Sequence, residues 1–135
     1  MFCVLCFNIH RYNVAVVTLK AIGATGEKPG GIDLEQDVKE LCSPGVNTIP
    51  EAAQDAVLIA NIQAAITATN NDGTKCPMNA AKIRKFTILP RDFSVETDEL
   101  TPTLKTKRPV VGKKYAKVLD SMYLPGAGDY VPFQA

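Results

Sequence analysis

A chain of 135 residues, 46% hydrophobic and 21% charged, has enough apolar surface for one buried core and not for two. Its formal net charge of +1 gives no global pull toward nucleic acid or a membrane surface, and no apolar run is long enough to span a bilayer. The four cysteines, Cys3, Cys6, Cys42 and Cys76, include one CxxC without a second pair and with only His10 to add. That set makes neither a disulfide framework nor a four-ligand zinc site, and it reads as reduced thiols of a cytosolic protein.

The first ten residues, MFCVLCFNIH, carry no basic segment and no small-residue cleavage site, which argues against a secretory signal. Phe2 to Phe7 reads as an edge strand, and Asn8 to Arg11 turns into a second strand at Tyr12 to Ala21. Val14 and Val16 alternate there with Ala15, Val17 and Leu19, so both faces are apolar. Such a strand belongs in the middle of a sheet, covered on both sides.

The loop from Ile22 to Ile32 is rich in glycine, but GATGEKPGG has neither the GxGxxG nor the P-loop spacing. Asp33 is placed to cap a short helix with Leu34, Val38 and Leu41 on one face, ended by Pro44-Gly45. Thr48-Ile-Pro-Glu51 has capping-box spacing and predicts a helix running to about Thr69. Its expected apolar stripe is Ala52, Ala56, Ile59, Ile62 and Ile66, and Asn70 to Gly73 closes it. Residues 72–78 form a loop. Ile83 to Leu89 alternates as a third strand that stops at Pro90.

A hydroxyl-rich loop follows, and Pro102 predicts an extended, partly exposed course for Thr101 to Thr103. Pro109 suits the first turn of a last helix, with Val111, Tyr115, Val118 and Met122 inward and Lys113, Lys114 and Lys117 outward. Residues 105–117 hold Lys105, Lys107, Arg108, Lys113, Lys114 and Lys117 without an acid. A solvated face is the commonest meaning of such a cluster, and a phosphate-rich ligand is the other. The tail at 124–135, LPGAGDYVPFQA, is punctuated by Gly and Pro and reads as irregular, with no peroxisomal tripeptide at its end. These elements predict an α+β fold, a small three-stranded mixed sheet with helices packed on it.

The stretch DFSVETDELTPTLKTKRPVV, then KY and DSMY, resembles the C-terminal signature of AMP-forming long-chain acyl-CoA synthetases, members of the adenylate-forming superfamily. Together with RYNVAVVTLKA and NAAKIRKFTILPRDFS it is most similar to their bubblegum-type branch. The similarity spans residues 11–123 and leaves 1–10 unmatched. Its most specific part is ELTPTLKTKR, where Thr106 departs from the apolar residue usual in the family.

The resemblance implies a C-terminal lobe that acts as a reorienting lid in a long-chain fatty-acid–CoA ligase. It implies Lys105 as the catalytic cation of adenylation, and Glu99, Thr101 and Thr103 as residues of the ligand-binding loop. Lys107, Arg108 and Lys113 are candidate contacts to phosphate or coenzyme A. The implied substrates are fatty acid, ATP and coenzyme A. ATP and Mg2+ would be bound mainly by an N-terminal adenylation domain, whose phosphate loop, acyl tunnel and hinge motif lie outside these residues. No nucleic-acid partner, transmembrane segment or metal ligand within this chain is expected. The expected location is cytoplasmic, with the intact enzyme peripheral on the endoplasmic reticulum or another membrane. The competing expectations are a non-catalytic module that binds coenzyme A, nucleotide or a partner protein, and an inactive gene fragment.

Overall fold

Val14 to Val17 are apolar on both sides of an extended chain, and only a strand covered on both faces takes all four out of water. In the computed structural model, which describes residues 2–133 and side chains from residue 4 onward, they lie in β2 (Asn13–Leu19), where every residue after Asn13 is buried. β2 is the middle strand of a three-stranded mixed sheet. β1 (Phe2–Phe7) pairs with it antiparallel, from Phe2 opposite Leu19 to Phe7 opposite Val14. β3 (Ile83–Ile88) pairs parallel on the other side, with Val17 opposite Ile88.

The pleat divides the core into two layers. Ala15, Val17, Leu19, Phe86 and Ile88 face the layer of α1 (Gln36–Lys39), α2 (Ile49–Ala52) and α3 (Ala56–Asn71). Phe7, Val14, Val16 and Leu89 face Val111, Tyr115, Val118, Leu119 and Met122 of the segment that carries α4 (Arg108–Lys114) and α5 (Ala116–Ser121). Pro109 sits in the first turn of α4 as expected. The anticipated single last helix is broken at Tyr115, whose φ of −110° and ψ of 20° leave the helical region.

Two helix starts differ from the sequence reading. Asp33 caps nothing, because its backbone is committed to an extended ladder: the Ile22 N–H donates to its carbonyl at 2.8 Å, and Leu34 N–H donates to Asn47 at 2.8 Å. α1 therefore begins only at Gln36. The helix expected over 48–69 is two helices. Thr48 does reach Glu51 through its hydroxyl at 2.8 Å, but α2 ends after one turn. Asp55 then caps α3, accepting from the Leu58 N–H at 3.2 Å and from the Ser43 N–H and hydroxyl at 2.8 and 2.6 Å. An aspartate that satisfies a free helix-end N–H does better at a cap than in a helix interior. The restart also rotates the stripe: Leu58, Ile62 and Ile66 are buried, while Ala56 is exposed.

The tail does more than trail away. The Phe86 N–H donates to Asp129 and the Val131 N–H donates to Phe86, both at 2.9 Å, so residues 129–131 run along the outer edge of β3. Tyr130 packs on Phe86 with ring centroids 5.1 Å apart, and its hydroxyl donates to the Ala53 carbonyl at 2.8 Å. Gln134 and Ala135 lie outside the described residues, as does the Cys3 side chain. Cys6, Cys42 and Cys76 are free thiols. Burial raises the pKa of Cys6 and Cys42, which keeps both protonated and unreactive. Among the described residues no helix is long and apolar enough to cross a membrane.

Candidate functional site

Because β2 and β3 are parallel, the loops that leave their C-terminal ends meet at one end of the sheet. One is the glycine loop at 22–31, and the other runs from Pro90 to Lys107. They are joined by backbone bonds, Val95 N–H to Gly26 at 2.8 Å and Glu96 N–H to Glu27 at 2.9 Å. Between them lies an open groove of about 410 Å³, bordered by Lys20, Gly26, Phe93, Leu104 and Thr106.

The segment expected to be extended at Thr101 to Thr103 is instead the tip of a tight hairpin. Leu100 and Thr106 bridge antiparallel across its legs. Leu104 N–H donates to the Thr101 carbonyl at 2.8 Å, and Thr101 N–H donates to the Lys105 carbonyl at 2.8 Å. This is the bonding of a three-residue hairpin loop, in which the last residue must take a left-handed conformation. Proline suits the first turn position, and Leu104 takes the left-handed one with φ of 64°. The Thr101 hydroxyl accepts from the Lys105 N–H at 3.1 Å and lies 3.0 Å from the Thr103 hydroxyl.

Lys105 thus stands on a hairpin leg whose backbone is held twice by Thr101. Its side chain is exposed, and its Nζ makes no ion pair or hydrogen bond among the described residues. Thr101 and Thr103 use their hydroxyls on the turn itself and shape the loop.

Glu99 lies beneath the hairpin and is fully buried. Its carboxylate accepts from the Ser94 N–H at 3.3 Å, the Thr97 hydroxyl, the Tyr115 hydroxyl at 3.0 Å and the Lys114 ammonium at 3.2 Å. Burial first, and then the negative charge of Glu99, pushes the Tyr115 hydroxyl pKa up, so it remains a donor.

The basic cluster is less free than its sequence suggests. Lys107 pairs with Asp98 at 2.5 Å. Arg108 donates to the Cys6 carbonyl and stacks over the Phe7 ring at 5.2 Å. Lys114 is spent on Glu99 and on the Thr97 carbonyl at 3.0 Å. Lys113 is exposed on α4. Among the described residues no three His, Cys, Asp or Glu side chains are grouped to hold a metal ion.

Sequence reasoning missed the roles of Gly26, Asp98, Lys114 and the Tyr115 hydroxyl. Tyr115 was legible as a core position from its spacing, but nothing local marks a partner 16 residues away.

No family profile matches the chain, and no solved structure matches it. Curated proteins do. The long-chain-fatty-acid–CoA ligase ACSBG2 of Gallus gallus is 36% identical over 118 residues, which is 84% of this chain and 15% of the ligase. The ligase FadD15 of Mycobacterium tuberculosis is 43% identical over 76 residues, 56% of this chain and 12% of the ligase. The ligase heimdall of Drosophila melanogaster is 51% identical over 45 residues, 33% of this chain and 7% of the ligase. The chain spans 15% or less of the length of these relatives. It is a homologue of one part of the long-chain-fatty-acid–CoA ligases, the bubblegum-type enzymes among them.

Proposed function

We propose that this chain forms the C-terminal lid lobe of a long-chain fatty-acid–CoA ligase and that Lys105 is its adenylation cation. In that reaction the fatty-acid carboxylate attacks the α-phosphate of ATP and pyrophosphate leaves. The lobe then turns, and the thiol of coenzyme A attacks the acyl-adenylate. Negative charge builds on the phosphate oxygens during the first step, and a lysine ammonium placed there in a water-poor site stabilises it strongly. ATP, Mg2+ and the acyl chain are assigned to an N-terminal adenylation domain, which meets this lobe at the hairpin end of the sheet. A lobe that reorients between two half-reactions is a conformational step able to limit turnover.

The observation that carries the reading is the placement of Lys105. It is an exposed cation with an uncommitted ammonium, on a hairpin whose backbone is fixed, inside the ELTPTLKTKR segment. Lys107, Arg108 and Lys114 each engage a partner within the chain, whereas among the described residues the Lys105 ammonium does not.

The test is a pair of half-reaction assays in a ligase carrying this lobe. Lys105→Ala is expected to lower adenylation by about 10²-fold or more, the loss usual for one group that stabilises transition-state charge. Thioester formation from supplied acyl-adenylate is expected to change far less. Lys75→Ala, in the loop before β3 and so at the opposite end of the sheet, serves as the control. Equal loss in both half-reactions, or equal loss from Lys75→Ala, overturns the assignment.

A further inference from the structure

On the reading of Lys105 just given, we infer that Glu99 is its positioning residue: it holds the base of the hairpin against the α4–α5 junction and touches no substrate. Every polar group of Glu99 is engaged. Its N–H donates to the Ser94 carbonyl at 3.1 Å, and its carbonyl accepts from the Lys107 N–H at 2.8 Å. The second of these bonds closes the base of the hairpin, because Glu99 enters it and Lys107 leaves it. The carboxylate then ties that base to two neighbours. Ser94 and Thr97 hold it from the preceding loop, and Tyr115 and Lys114 hold it from the helices.

A buried carboxylate is a costly way to fill space, and an apolar side chain at the same place would be cheaper in desolvation. What the carboxylate adds is direction, since four donors converge on two oxygens and leave the hairpin one orientation. Direction is what a lysine on a long stem requires, because a displacement near 1 Å at a reacting atom costs about 10²-fold in rate. The Lys114 side chain, 29% exposed, supplies the compensating charge from the rim. The Leu104 contact with the glycine loop braces the tip of the same hairpin from the other side.

Residue-resolved amide hydrogen exchange on the 135-residue protein tests this. Glu99→Gln keeps the shape and removes the charge. The Leu104, Lys105 and Lys107 amides are expected to exchange about 10- to 100-fold faster, the range for losing charged hydrogen bonds. The Leu34 amide, bonded to Asn47 in the other layer, should stay within twofold of the parent. Tyr115→Phe removes one donor while keeping the ring, and is expected to speed the same three amides by about 10-fold. Hairpin amides as protected as in the parent protein in both variants, or loosening shared equally by Leu34, would overturn the inference.

In a ligase carrying this lobe whose Lys105→Ala variant is impaired, Glu99→Gln should lower kcat of adenylation with the fatty-acid KM unchanged; an unchanged kcat there also overturns it. The exchange measurement does not depend on what Lys105 does. A loosened hairpin together with an active Lys105→Ala enzyme would support the brace and reject the adenylation reading alone.

Discussion

Leu104 lies so close over Gly26 that a Cβ built on the glycine would meet Cδ2 of the leucine at 2.9 Å. Both residues have positive φ, 64° for Leu104 and 85° for Gly26. A leucine in that conformation costs about 1–2 kcal/mol, so the hairpin holds it there only because other contacts offset the strain. The glycine loop supplies them, through this contact and through the bonds from Val95 and Glu96. Lys105 is the next residue in the chain, so the glycine loop braces the hairpin that carries it.

The glycine loop should be intolerant of side chains where backbone crowds it. At Gly30 a Cβ would lie 2.6 Å from the Ala24 nitrogen and 2.8 Å from the Ile22 carbonyl oxygen. Neither atom is the end of a flexible side chain. Gly45 has a similar φ of 90° with nothing within 4 Å. Gly30→Ala is expected to destabilise by about 3 kcal/mol and Gly45→Ala by about 1 kcal/mol. Urea titration of the two variants measures the difference, and equal midpoints would contradict it.

The break between α2 and α3 depends on Asp55. Asp55→Ala is expected to cost about 1–2 kcal/mol, since Ser43 and the Leu58 N–H lose their acceptor together. Its pH dependence has a definite sign. Desolvation alone would raise the pKa of Asp55, but the bonds from Ser43 and Leu58 win and hold it below the usual carboxylate value. A group depressed on folding stabilises above its unfolded pKa, about 3.9, and loses that contribution as pH falls through the folded value. The gap in thermal midpoint between the parent protein and Asp55→Ala should therefore narrow between about pH 6 and pH 3. A gap that widens on acidification would refute the account.

The tail is expected to be part of the stable unit. Tyr130→Ala removes the ring packed on Phe86 and the bond to the Ala53 carbonyl, a loss of about 2 kcal/mol for a half-buried aromatic. The same change should speed exchange of the Phe86 amide, which is bonded to Asp129. Thermal melts and exchange at Phe86 check both. An unaltered melt would mean that the edge pairing at 129–131 contributes nothing.

The 135-residue protein alone is expected to make no acyl-CoA from fatty acid, ATP and coenzyme A. It spans 15% of the Gallus gallus ligase. Product formation that follows the protein through purification would refute this.

Residue pattern alone determined that β2 is a central strand, because four consecutive apolar residues leave no face for water. It determined three strands, the inward face of the last helices and the motif that resembles long-chain acyl-CoA synthetases. Each of these depends on periodicity or on a contiguous motif, which a linear chain displays in full.

Tertiary structure decided the rest, starting with where the long helix breaks, since Ser43 must come beside Asp55 across 12 residues. It decided that Glu99, expected as a residue of the ligand-binding loop, is fully buried and met by Tyr115 from 16 residues away. It also decided which cations are occupied, Arg108 by a carbonyl 102 residues distant and Lys107 by a nearby Asp98 that only the turn brings within reach. The physical reason is the same throughout. Burial follows from a side chain's own apolarity and spacing, but a hydrogen bond or ion pair needs a partner whose position exists only once the chain has folded.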